Sequence, residues 1–169
     1  VMDFGSLNFE EIISTDIVEF YTESMSHKEI EDLAIQSGEY SRFAVDRNIP
    51  RDKFVALYSI WINRSLRKEI AEEVLVIREG ERVVGMVTLG NKNGRGDIGL
   101  IAVDKDHRAK KYGEKLVRAA QHWFVKNGYE FGQVVTQGMN LPACNLYKKC
   151  GYSVENEEYF YHFWPQQVA

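Results

Sequence analysis

Cysteine is scarce in this 169-residue chain: the only two, Cys144 and Cys150, stand six positions apart on one expected short helix. That offset puts them on different helix faces, which argues against a disulfide between them. No Cys-x-x-Cys pair or histidine cluster offers metal-ligand spacing. Both cysteines are read as small packing residues, and no metal is expected. Long apolar runs are also missing. No stretch approaches the roughly 18 residues of a membrane span, and no charged-then-apolar leader opens the chain, so a cytoplasmic protein without a membrane partner is expected. Nor is there a surplus of positive charge: the net value of −4 leaves general nucleic-acid binding without an electrostatic basis. No repeat, low-complexity tract or Pro/Gly linker divides the sequence, and its length suits one domain. Residues 16–169 are read as that domain. Residues 1–15, where periodicity is weak and Val1 precedes Met2, are read as an extension or the trimmed start of a longer chain.

What is present is an alternation of strand and helix patterns. Ile17 to Thr22 is β-branched and aromatic, a first strand. His27 to Gln36 and Asp52 to Leu66 carry apolar residues at helical spacing, the first ended by Gly38. Glu73 to Ile77 and Arg82 to Leu89 flank a hairpin turn with Gly80 at positive φ. A polar turn from Asn91 to Gly96 leads to a third run, Ile98 to Val103. A helix follows from about Gly113 to Asn127, then a strand (Gln133 to Gln137), a short helix (Leu141 to Cys150) and a closing aromatic strand (Glu158 to Trp164). The order β-α-α-β-β-β-α-β-α-β predicts an α/β domain with a mixed, mostly antiparallel sheet.

Charge is unevenly spread along this pattern. Between Lys105 and Arg118 six cations face two acids, a local excess of +4 that leaves −8 for the rest of the chain. This island joins a buried strand to a helix. Unpaired N–H groups at a helix start, reinforced by the helix dipole, suit a pyrophosphate, and Gly113 allows close backbone approach. A solvated helix face is the alternative.

The residues VDKDHRAKKYGEKLV resemble motif A of the GCN5-related N-acetyltransferases, V-x-P-x-x-R-G-x-G-x-G/A-x-x-L, with Val103, Arg108, Gly113 and Leu116 at matching positions. Lys105 replaces the usual proline and Lys111 the glycine of R-x-x-G-x-G/A. A Cβ there would crowd the pyrophosphate, or the lysine would supply an ion pair. The paired glycines of RVVGMVTLG are similar to that family's third strand. NLPACNLYKKCGY resembles its N-x-x-A-x-x-L-Y-x-x-x-G-F/Y through Asn140, Ala143, Leu146, Tyr147, Gly151 and Tyr152. The resemblance spans residues 16–164 and implies the GNAT fold and transfer of acetyl from acetyl-CoA to an amine. It also implies a CoA site of Ile101, Ala102, Val103, Arg108, Ala109, Lys110, Lys111, Tyr112, Gly113, Glu114, Asn140 and Tyr147. Ile101 to Val103 stand where that family's strand splays to meet pantetheine. Asn140 matches a pantetheine contact, with helix N-capping as a compatible role. Tyr147 matches the general acid for the thiolate, against core packing as the alternative. Asp97 stands where many relatives carry a carboxylate, as a proton acceptor or as part of a turn. His162 is the other acceptor, read as a packed core residue.

The acceptor should be read from the variable stretch before the second strand. EYSRFAVDRNIPRDKFVALYSIW, with EEVLVIREGERVVGMVTL beyond it, resembles the dTDP-fucosamine acetyltransferases, which acetylate the amine of a dTDP-linked 4-amino-dideoxysugar. The chemistry of the residues is consistent with such a substrate: Arg42 suits a diphosphate, Tyr40 and Phe43 suit stacking on a base or sugar face, and Asp46 suits a hydroxyl or ammonium. The alternative makes Phe43 core and pairs Arg42 with Asp46. A protein or peptide acetyltransferase and a non-catalytic CoA-binding module remain as other functions, and a homodimer stays open.

Overall fold

The computed structural model describes residues 1–6 and 17–165. Six strands form one sheet in the order β1-β6-β5-β4-β3-β2: β1 (Met2–Asp3), β2 (Val18–Phe20), β3 (Glu73–Glu79), β4 (Arg82–Lys92), β5 (Arg95–Val103) and β6 (Phe131–Val134). All neighbours run antiparallel except β5 and β6, which are parallel because a helix crosses between them. The helices are α1 (His27–Ser37), α2 (Arg42–Val45), α3 (Arg51–Leu66), α4 (Tyr112–Lys126) and α5 (Leu141–Lys149). No helix among the described residues is long and apolar enough to cross a membrane.

The sheet separates two cores because its central strands are apolar on both faces. Along β3, Val74 and Val76 pack with Ile30, Leu33, Phe54, Tyr58 and Ile62 of α1 and α3. Leu75 and Ile77 alternate with them and pack with Leu116, Ala120 and Phe124 of α4. Burying a ring such as Phe124, fully enclosed, contributes about 2–3 kcal/mol. Gly96 makes room for it, since a Cβ there would lie 2.3 Å from the ring. On the other face Gly38 does the same for Tyr58, at 2.2 Å. Gly38 does not end α1 by left-handed geometry, as its sequence position suggests; its φ is −88° and its contribution is space.

Three features depart from the sequence reading. The β4–β5 connection is a two-residue turn, with Asn93 and Gly94 both at positive φ and Lys92 opposite Arg95. Asn-Gly between β-rich runs is the signal for it, and the strands therefore extend into the stretch read as a loop. Residues 1–6 are joined to the sheet: Met2 and Asp3 pair with Gly132 and Phe131, and Met2 and Phe4 enter the core beneath α4. The expected closing strand from Glu158 to Trp164 does not form. Residues 152–165 carry no regular structure, and Met2–Asp3 pair along β6 on the side away from β5.

Candidate functional site

The site begins with a break in the sheet. β5 and β6 pair only through Gly96–Gly132, Asp97–Gln133 and Ile98–Val134, although β5 runs on to Val103. The edge of β5 facing β6 is therefore unpaired from Gly99 onward, a row of backbone donors and acceptors available to a ligand. A β-bulge accompanies the break: Gly99 and Leu100 stand opposite Thr88, between the Leu89–Ile98 and Val87–Ile101 pairs. Thr88 fixes it by accepting the Leu100 N–H on Oγ1 at 2.8 Å. Bulges bend a strand and re-aim its side chains. Here Ile98 packs toward α4, Leu100 and Ala102 pack toward α1 and α3, and Ile101 and Val103 return to the α4 side. The residues matched to pantetheine therefore lie on the freed part of β5.

Beyond Val103 the basic turn is built on carboxylates that sequence reasoning missed. Asp104, buried, accepts from Asp106 N at 3.0 Å, holds His107 Nδ1 at 2.9 Å, and receives Arg82 at 3.2 Å. The His107 hydrogen bond keeps its carboxyl below the usual carboxylate range. Glu79, at the end of β3, accepts from Lys110 Nζ and from Tyr112 Oη, each at 2.6 Å, and both bonds hold its carboxyl low. The β3–β4 hairpin thus braces the turn and neutralises part of its charge. Nothing in the local sequence signals this, because Glu79 lies 31 residues before Lys110.

Two residues of the turn, one of them the lysine in a motif glycine's place, keep glycine-like backbone. Ala109 has φ +67° and Lys111, which precedes α4, has φ +60° and ψ +18°, the left-handed region. Each costs about 1 kcal/mol relative to glycine. Lys111 caps no α4 N–H with its side chain, so the helix start is left for another acceptor. Arg108, Lys110 and Lys111 are exposed. Glu114 is buried and points elsewhere, taking Lys149 Nζ at 2.6 Å and tying α4 to α5. Gly113 is what lets the helices meet, since a Cβ on it would lie 3.2 Å from Leu146 Cδ2.

In α5, Asn140 is the N-cap, its Oδ1 accepting the Ala143 N–H at 3.2 Å. Its amide N–H groups stay available, so capping and ligand contact are compatible. Tyr147 is 6% exposed and packs in the α4-side core, its ring 6.0 Å from that of Tyr152 in a T-shaped pair. Burial pushes its phenol well above the usual range, so the proton stays on oxygen at any physiological pH. Cys150 is fully enclosed and burial raises its thiol to about 11, which suits a packing residue and not a nucleophile.

Asp97 lies within β5, not in the preceding turn. It alternates with Gly96 and Ile98, which face α4, so its side chain projects on the α1–α3 face. Gln133 Nε2 donates to its Oδ1 at 2.8 Å. Asp97 thus lies on the α1–α3 face of the sheet and Tyr147 in the core on the α4 face.

The residues read for the acceptor gather around α2. Ser41 caps it, accepting the Ala44 N–H at 3.3 Å. Tyr40 is exposed and Phe43 half-buried against the α1–α3 core. The Arg42 guanidinium lies over two rings, 4.9 Å from the Phe43 centroid and 4.3 Å from that of Phe160. Asp46 bonds His162 Nδ1 and, at 3.0 Å, Trp164 Nε1, so neither the alternative Arg42–Asp46 pair nor the core position expected of His162 is found.

The chain spans about half the length of the curated relatives it matches. It is 31% identical over 90 residues to a streptothricin acetyltransferase of Escherichia coli, covering 53% of this chain and 52% of the relative. It is 25% identical over 138 residues to the spore coat polysaccharide biosynthesis protein SpsD of Bacillus subtilis, covering 82% and 47%. Among solved structures, the PaiA N-acetyltransferase of Thermoplasma acidophilum, crystallised with coenzyme A, superposes with a TM-score of 0.64 at 16% identity, over 83% of this chain and 91% of that one. The parted strands, the left-handed turn and the α5 cap all lie within residues 35–152, the span matched by the model of the Acetyltransferase (GNAT) family, and the chain belongs to that family.

Proposed function

We propose that the chain is an acetyl-CoA-dependent N-acetyltransferase acting on a small-molecule amine, an amino sugar of the nucleotide-linked, dTDP-4-amino-dideoxysugar type. The observation that carries the donor half is the loss of β5–β6 pairing after Ile98, next to a helix start that no side chain caps. These groups fit acetyl-CoA. The free edge of β5 at Ile101, Ala102 and Val103 matches the amide groups of pantetheine, and the first turn of α4 with Arg108 and Lys111 matches its pyrophosphate. Acetyl-CoA supplies an activated acyl carbon. The amine nitrogen bonds to it, the carbon–sulfur bond breaks, one proton leaves the nitrogen and one reaches the sulfur.

The chain's own groups meet these demands from the two faces. Asp97, held by Gln133 on one oxygen, presents the other to the amine and accepts its proton directly or through water. Tyr147, kept protonated by burial, donates to the departing thiolate. Because its phenol is a weaker acid than a thiol, it acts chiefly as a hydrogen-bond donor that makes sulfur a better leaving group, and solvent completes the protonation.

The sugar assignment draws on the residues around Arg42 and on the likeness to SpsD, a polysaccharide-biosynthesis protein; the likeness to a streptothricin acetyltransferase supports a small-molecule amine more broadly. Thiol release from acetyl-CoA, followed with DTNB across dTDP-amino sugars, streptothricin and basic peptides, tests it. Turnover on the dTDP-amino sugar is expected. Turnover on peptides alone would overturn the acceptor class, and acetyl-CoA binding without turnover on any amine would overturn the enzyme.

A further inference from the structure

The most exposed aromatic run among the described residues carries no assigned role in the reading above. Phe160, Tyr161 and Phe163 are 63%, 75% and 90% exposed in a segment without regular structure. Yet the segment is fastened at two places. Near its start Glu155 takes the Arg95 guanidinium through two bonds, 2.6 and 3.1 Å. Near its end His162 Nδ1 and Trp164 Nε1 converge on one oxygen of Asp46, and Phe160 covers the guanidinium of Arg42.

One anchor is at the start of β5 and the other follows α2. Arg95 is the first residue of β5. Asp46 follows α1 and α2, and the last turn of α1 reaches past the far end of β5, where Gln36 Oε1 accepts the Lys105 N–H at 3.2 Å. The seven steps from Glu155 to His162 extend about 23 Å, and the eight steps along β5 about 26 Å. Arg95 also shares its face of β5 with Asp97. Fastened to Arg95 on that face, the segment is nearly as long as β5 and can run beside most of it on the face from which Asp97 projects.

We infer that residues 155–164 are a strap forming the outer wall of the acceptor site, clasped at Asp46 by His162 and Trp164. This rests on the acetyl-transfer reading and deepens it. His162 is a positioning residue that acts through the strap. The wall presents aromatic faces, which suit the ring of a sugar or another cyclic amine. Arg42, whose guanidinium lies over the rings of Phe43 and Phe160, is exposed and has N–H donors to offer an anion on that acceptor.

Steady-state kinetics of His162→Gln, Asp46→Ala and the double variant, in the full chain, test the clasp. The probes are dTDP-4-amino-4,6-dideoxygalactose and, separately, streptothricin. With either amine, KM for the amine should rise about tenfold while KM for acetyl-CoA stays within about twofold. The double variant should be no worse than the worse single one, because both remove one junction. Asp46→Asn, which keeps an oxygen acceptor, should recover most of the loss. An unchanged amine KM, an acetyl-CoA KM that rises as much as the amine KM, or additive losses in the double variant would overturn the strap. If the wild type turns over neither amine, the acceptor assignment fails on its own, and the strap is read by chymotrypsin. Cleavage between Tyr159 and Phe163 should then be about tenfold faster in folded Asp46→Ala than in wild type, and equal rates would overturn it.

Discussion

The proposed donor and acceptor sides of this protein are built from different materials. On the donor side the groups offered to a ligand are mostly backbone: the free edge of β5, the uncapped start of α4 and two left-handed residues. Side chains there serve mainly to brace, as Asp104 and Glu79 do. On the acceptor side the backbone of α2 and the C-terminal segment carries little regular structure, and side chains do the presenting: Arg42 over two rings, and Asp46 beneath His162 and Trp164. A backbone site tolerates changes of side chain as long as φ and ψ survive, which is how a lysine can stand in a glycine's place. A side-chain site changes whenever a residue does.

If that division is sound, the largest effect of a single conservative change should fall on the one donor-side side chain assigned to chemistry. Tyr147→Phe keeps the ring in its pocket against Tyr152 and removes only the hydroxyl. A drop of about 100-fold in kcat is expected, with acetyl-CoA affinity unchanged by calorimetry. Wild-type kcat would remove Tyr147 from the chemistry and leave the donor side backbone alone.

Acid should act next, and on both sides. Asp104, Glu79 and Glu114 on the donor side, and Asp46 and Glu155 on the acceptor side, are all held below the ordinary carboxylate range by hydrogen-bonded cationic partners or histidine. The unfolded chain binds more protons than the folded one once the pH nears its own carboxylate values, about 4, so stability falls as pH drops through that range and the lower folded-state values. Melting curves taken from about pH 6 down to about pH 3 should show the midpoint steady at first and then falling steeply. A flat profile would mean that these pairs contribute nothing beyond solvent exposure.

Lys111→Gly probes the backbone more finely. Removing the Cβ from a left-handed position should raise stability by about 0.5–1 kcal/mol, read as a higher denaturant midpoint at unchanged slope. Its effect on acetyl-CoA affinity should be small, because the turn already has glycine's shape and keeps Arg108. A loss of more than about tenfold would make the lysine ammonium itself a phosphate ligand.

The same division explains what was legible in the sequence. The motifs that carry the proposed donor side were readable because backbone demands leave marks at fixed spacing: Val103, Arg108, Gly113 and Leu116 in one motif, Asn140 to Tyr152 in the other. The helices and central strands were readable from apolar period. Glu79 and Asp104 were not, since an ion pair between distant segments has no local pattern. The C-terminal segment was misread for a related reason. Its aromatic run has strand propensity, but a strand needs an edge to pair with. Met2–Asp3 hold part of the outer side of β6, and the Asp46 clasp draws the run toward α2 instead. His162, taken for core by its neighbours Tyr161 and Phe163, belongs to that clasp.

The smallest expected effect tests which demand Gly113 answers. By its place in motif A the glycine gives a ligand room, but in the fold its missing Cβ gives room to Leu146, 3.2 Å away. Gly113→Ala would gain up to about 1 kcal/mol of helix propensity in the first turn of α4. Against this, the Leu146 methyl must shift by a few tenths of an ångström, at a cost of the same order. The two nearly cancel, so the melting midpoint should move by no more than a degree or two, and acetyl-CoA affinity should hold within about twofold. A clear loss of affinity without a loss of stability would reverse the assignment. The ligand would then pass close to Gly113, and the contact with Leu146 would be a by-product of a glycine kept for the donor.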